Sequence, residues 1–150
     1  MGYSTEFRGR FNLDRELDDE TYDLLKGLSE TRRMKRNVDE KIYGPEGEFY
    51  FEGCIGGYNI NDDTIIDQNT PPVGQPDLWC DWTPTEDKKG LQWNGSEKFY
   101  NYVDWLKYII KRVLMPRGYT LSGIVEWRGE EFGDDGMIIV ADNVVSTQRR

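Results

Sequence analysis

The stretch NGSEKFYNYVDWLKYIIKRVLMPRG (94–118) decides how the rest of the chain is read. Phe99, Val103, Leu106, Ile110 and Val113 recur at steps of four, three, four and three, which is the buried face of a helix. Ser96 is placed as its N-cap, with Glu97 in the first turn. Pro116 and Gly118 stop it, so the pattern predicts a helix of about 18 residues. A second row, Tyr102, Trp105, Ile109 and Arg112, lies about 100° round the axis. The helix is therefore apolar beyond one stripe: it either packs on two sides or offers aromatics to a partner. Tyr102 and Trp105 are the residues expected at such a surface.

Working outward, the neighbouring segments read as strands. LWCDW (78–82) alternates, TPTEDKKG (83–90) is a turn and LQW (91–93) resumes the alternation, which predicts a hairpin. The stretch 78–93 holds three of the five tryptophans, read chiefly as core against the helix that follows. YTLSGIVEW (119–127) and GMIIVADNVVS (136–146) predict two more strands joined by the acidic turn RGEEFGDDG, with 146–150 fraying. Toward the N-terminus, Tyr3, Thr5, Phe7, Phe11 and Leu13 face one way along a period-two strand, with Gly9 a bulge point.

A first helix is placed at 18–33, capped by Asp18, with Leu17 and Tyr22 spaced as a hydrophobic staple. Arg32, Arg33, Lys35 and Arg36 are read as its solvated C-terminal end. EFYFEG (48–53) is read as a short strand. The residues 54–77 are expected to form a long irregular loop, with a short strand near 64–66. The order strand, helix, strands, long helix, strands predicts one α+β domain, with a mainly antiparallel sheet covered on one face by two helices.

Composition narrows the chemistry. The chain has 150 residues, 37% of them hydrophobic, 31% charged and 13% aromatic, enough for a folded core. Nineteen basic against 28 acidic residues leave a net charge of −9, which speaks against direct nucleic-acid binding and against anionic membranes. It suits a partner protein with a basic surface. There is no histidine, so Ser-His-Asp, Cys-His and His-ligated zinc chemistries are excluded within the chain. Cys54 and Cys80 are expected as free thiols in a cytoplasmic protein. No stretch approaches the roughly 20 apolar residues of a membrane span.

Carboxylates are the remaining polar resource. Asp18-Asp19-Glu20 belongs to a helix start, whereas Asp62-Asp63 with Asp67, Glu86-Asp87, Glu130-Glu131 and Asp134-Asp135 fall in turns. NINDDTIID (59–67) has calcium-like oxygen spacing, but Thr64 stands where the loop needs Gly and Thr70 where it needs Glu. No catalytic residue, metal site or cofactor is expected. The partner-binding set is Glu130, Glu131, Asp134 and Asp135, with Asp62, Asp63 and Asp67, and with Tyr102 and Trp105 as aromatic contacts.

The segments LWCDWTPTED, GSEKFYNYVDWLKYIIKRVLMPRGY, GIVEWRGEEFGDDGMIIVADN and ETRRMKRN together resemble a group of short bacterial and phage proteins without an assigned activity. The resemblance covers most of the chain and thins between 38 and 69. It implies bacterial or phage cytoplasm and carries no mechanism. The expected function is a non-catalytic acidic binding module, of the kind a phage would encode to inhibit a host defence or nucleic-acid-handling protein. Two alternatives stand beside it. One is a small-molecule binder or carboxylate enzyme with a pocket beside 57–77, floored by Tyr58, Trp79 and Trp82. The other is a homo-oligomer built on Tyr102, Trp105 and Ile109.

Overall fold

The computed structural model describes residues 2–51 and 63–150. It is an α+β arrangement around a seven-stranded antiparallel sheet. The strands are β1 (Thr5–Arg8), β2 (Phe11–Leu13), β5 (Trp82–Pro84), β6 (Gly90–Trp93), β7 (Leu121–Gly129), β8 (Asp135–Ala141) and β9 (Val144–Arg149). Their order is β5-β6-β2-β7-β8-β9, with β1 also paired to β7. A separate ribbon joins β3 (Lys35–Arg36) to β4 (Ile65–Asp67). The helices are α1 (Asp19–Glu30), the short α2 (Glu40–Tyr43) and α3 (Tyr102–Ile109).

β1 and β2 are the alternating N-terminal strand, bent at Gly9. This glycine has φ +103°, and a Cβ there would lie 2.9 Å from the Ile124 carbonyl oxygen. The bend lets β1 pair with one end of β7 and β2 with the other, where Phe11 faces Gly123. Asp18 caps α1 by accepting from Thr21 N at 2.7 Å. Thr5, Phe7, Phe11, Val125, Trp127, Ile138 and Val140 are buried, whereas Glu6, Arg8, Ile124 and Arg128, of opposite parity, are exposed. The buried apolar side chains join Leu25 and Leu28 of α1 and Trp105, Leu106 and Ile109 of α3 in one cluster. α1 packs on β5, and α3 touches β5 and β9.

Four local readings are corrected. First, α3 starts at Tyr102, not near Ser96. Glu97 O instead accepts from Thr5 N at 3.0 Å and Ser96 O from Trp93 Nε1 at 2.9 Å, so this backbone is engaged with β1 and β6. Past Ile109 the helix widens into a π turn (Ile110–Leu114), in which Met115 N–H reaches Ile110 O. Pro116, lacking an N–H, follows directly. Second, the expected strand 136–146 is two strands. Asp142 (φ 47°) and Asn143 (φ 69°) form a tight left-handed turn between β8 and β9. The end expected to fray is therefore paired. Third, the segment after α2 is a 3-10 turn (Pro45–Gly47), and the described residues 48–51 are not a strand. Fourth, Arg33 and Arg36 are buried, not solvated.

Candidate functional site

The β7–β8 hairpin carries the acidic tip. Asp134 is the residue that shapes it. Its Oδ2 accepts from Tyr3 OH at 2.6 Å and its Oδ1 from Trp127 Nε1 at 3.0 Å. These donors hold the carboxyl below the usual carboxylate range. Tyr3 OH in turn accepts from Glu131 N at 3.0 Å, and Glu130 Oε1 accepts from Ser4 N at 2.6 Å. Across the loop, Gly129 N donates to Asp134 O and Asp134 N to Glu131 O. The tip is thus tied to the N-terminal segment at two points.

That geometry divides the expected acidic set. Asp134 uses both carboxylate oxygens to hold the loop and is only partly exposed. Glu130 is exposed, with its carboxylate bonded to Ser4 N of the N-terminal segment. The Glu131 and Asp135 side chains have no hydrogen-bond or ion-pair partner among the described residues, and Glu131 is exposed. Between them stands Phe132, fully exposed. The sequence reading missed this residue, although an aromatic inside EEFGDD has no apolar neighbour to pack with. Beside the tip lies a cavity of about 650 Å³ whose rim includes Glu6, Arg8, Arg128 and Phe132.

The second acidic segment does not join the first. Asp62 lies outside the described residues, as do Cys54 and Tyr58. Asp63 is exposed. Asp67 ends β4 on the separate ribbon, where its carboxylate accepts from Asn69 N at 2.9 Å and Thr70 Oγ1 at 2.8 Å, closing a local turn. Among the described residues no group of His, Cys, Asp or Glu could hold a metal ion.

Of the aromatic pair, Trp105 is corrected. Trp105 has no exposed surface, enclosed with its row neighbour Ile109, and it stacks edge-on to Tyr108 at 5.4 Å. It cannot touch a partner in the folded protein. Tyr102 is half-buried among Phe7, Phe99 and Trp127. Trp82 is core, so it floors no pocket. Burial pushes the Cys80 thiol up to about 12, which leaves it a small apolar core group.

A buried polar network was not visible in the sequence. Arg33, 1% exposed, donates from Nε to Gln75 Oε1 at 3.0 Å, and from its two terminal nitrogens to the carbonyls of Tyr50, Gly47 and Glu48 at 3.0, 3.2 and 2.7 Å. Gln75 Nε2 donates to Glu48 O and Tyr108 OH. The Glu48 carboxylate accepts from Tyr108 OH at 2.7 Å and from Arg112 at 2.6 and 2.9 Å. Burial lowers Arg33 to about 10, still cationic at neutral pH. The network fastens the turn 45–50 and the segment at Gln75 to α3. All its charges are occupied, so it reads as a structural brace.

A third site surrounds Asp81, which precedes β5. This carboxylate is 4% exposed and lines a cavity of about 430 Å³ with Trp79, Glu30, Asn94 and Lys98. Its side chain has one hydrogen bond, from Asn94 Nδ2 to Oδ1 at 3.4 Å. Burial, opposed only by that bond, raises it to about 6. Because the folded pKa lies above the ordinary value of 3.8, the native state holds its proton more tightly than the unfolded chain. Stability is thus lost as pH rises from about 4 to about 6, and the loss persists above that window. Asp81→Asn is expected to raise stability at pH 7–8 and to leave it nearly unchanged near pH 4. Urea melts at both pH values check this. A neutral variant no more stable than wild type at pH 7–8 would contradict it.

No helix among the described residues is long and apolar enough to cross a membrane. The chain matches no family model, no curated protein and no solved structure.

Proposed function

We propose that this protein is a non-catalytic binding module whose contact surface is the β7–β8 tip. Its partner is a protein with a basic surface and an apolar recess. A phage-encoded inhibitor of a bacterial defence or nucleic-acid-handling protein is the setting that the sequence resemblance and the net charge of −9 favour. The observation that carries the reading is Phe132, fully exposed between Glu131 and Asp135 on a loop braced by Tyr3, Asp134 and Trp127. An exposed large aromatic on a held loop loses little conformational freedom on binding, which is how binding hot spots are built. The Glu131 and Asp135 carboxylates beside it, without partners among the described residues, add long-range attraction to a cationic surface and screening by salt.

The test is affinity capture from a bacterial lysate with wild type, Phe132→Ala and the double variant Glu131→Gln/Asp135→Asn. Phe132→Ala is expected to weaken retention of the partner by about 1–3 kcal/mol, roughly 5- to 150-fold. It leaves stability within about 0.5 kcal/mol, since the ring packs on nothing. The double variant is expected to lower the association rate and flatten its salt dependence. Retention of the same protein by all three, with the same salt dependence, would overturn the reading.

A further inference from the structure

The Asp81 cavity shares no lining residue with the cavity at the β7–β8 tip. Asp81 Oδ1 has its single bond at 3.4 Å, and Oδ2 has no donor among the described residues. An ionised carboxylate accepts about four hydrogen bonds, and leaving it buried and underpartnered is unfavourable. The site thus keeps a charge that lowers stability at neutral pH, a trade that functional sites make. Glu30, at the end of α1, adds a second carboxylate without an ion-pair partner among the described residues. Lys98 lines the cavity too, with its ammonium 3.8 Å from Glu97 Oε2 and its side chain about half exposed. Trp79 is half-buried and supplies the large apolar wall.

Two carboxylates against one lysine disfavour an anionic ligand. A neutral hydroxylated ligand would satisfy the lone pairs and leave the charge uncompensated. A cation supplies donors and charge together, and an indole is the aromatic wall that best accommodates one.

We propose that this cavity receives a primary ammonium or guanidinium group, with Asp81 as its ionic acceptor and Trp79 as its wall. That chemistry comes from a free organic amine or from a Lys or Arg side chain of a protein. The inference stands on the cavity alone and does not depend on the Phe132 tip.

The experiment follows the Trp79 indole N–H by two-dimensional NMR during titration with n-butylammonium chloride, with n-butanol and glucose as neutral controls. The expected result is a saturable shift with butylammonium, weakened at least about tenfold in Asp81→Asn and unchanged in Phe132→Ala. That last arm separates this site from the tip. N-acetyl-lysine methylamide, carrying a free side-chain ammonium, distinguishes the sources: binding as tight as butylammonium marks a protein side chain, and weaker binding marks a free amine. Equal saturation in Asp81→Asn, no saturable shift at millimolar butylammonium, or the same shift from n-butanol or glucose would overturn the assignment.

Discussion

Arg33→Met is expected to destabilise the protein by about 3–5 kcal/mol, lowering the melting temperature by roughly 10 °C. The substitution keeps the apolar stem and removes every donor. Tyr50 O and Gln75 Oε1 then lose the guanidinium that satisfies them in the interior. The stacking of the guanidinium carbon 5.2 Å from the centre of the Phe51 ring is lost as well. Arg33→Lys should recover only a small part, because one ammonium cannot reach acceptors spread over Gly47, Glu48, Tyr50 and Gln75. Amide exchange should locate the damage at 45–50 and around Gln75 first. A urea melt within about 0.5 kcal/mol of wild type would mean that the guanidinium is not the brace described.

Trp82→Ala carries the other large effect, also about 3–5 kcal/mol. The indole is 1% exposed and packs edge-on against Phe7, Phe11 and Phe99 at 5.2–5.5 Å. Its Nε1 donates to Tyr102 O at 2.8 Å, linking β5 to the first residue of α3. Truncation opens a cavity where the N-terminal strand, the β5–β6 hairpin and the helix entry meet. Trp82→Phe should cost less, since most of the ring contacts survive. Calorimetric or urea melts measure both, and equal costs for the two variants would contradict this packing.

Much of the fold was legible because period-two alternation depends on burial of one face. Phe7, Phe11, Val125 and Trp127 signalled strands for that reason. Asp18 marked a helix start because its bond to Thr21 N is local. What escaped was decided by distant partners. The basic run after α1 reads as solvated until Gln75 and the 47–50 carbonyls close around Arg33, 14 to 42 residues away. Glu48 leaves the expected strand for the same reason. Ser96 fails as a cap because Thr5, at the other end of the chain, takes the Glu97 carbonyl. The aromatic rows of α3 were visible, but which row met solvent was not, and Trp105 is enclosed on both sides. Of the acidic candidates, residue type alone did not separate Asp134, which holds the loop, from Glu131, whose carboxylate has no partner among the described residues. Phe132 went unnoticed because a single apolar residue in a charged turn leaves no periodic trace.

The most direct measurement of the central claim is site-specific photo-crosslinking. A photoreactive phenylalanine at position 132, compared with one at Ile42, which is exposed elsewhere on the surface, probes contact at the tip itself. A discrete cross-linked partner is expected from position 132, absent from position 42 and suppressed by about 0.5 M salt. The same products from both positions, or none from position 132 while the intact protein still retains its partner, would contradict it.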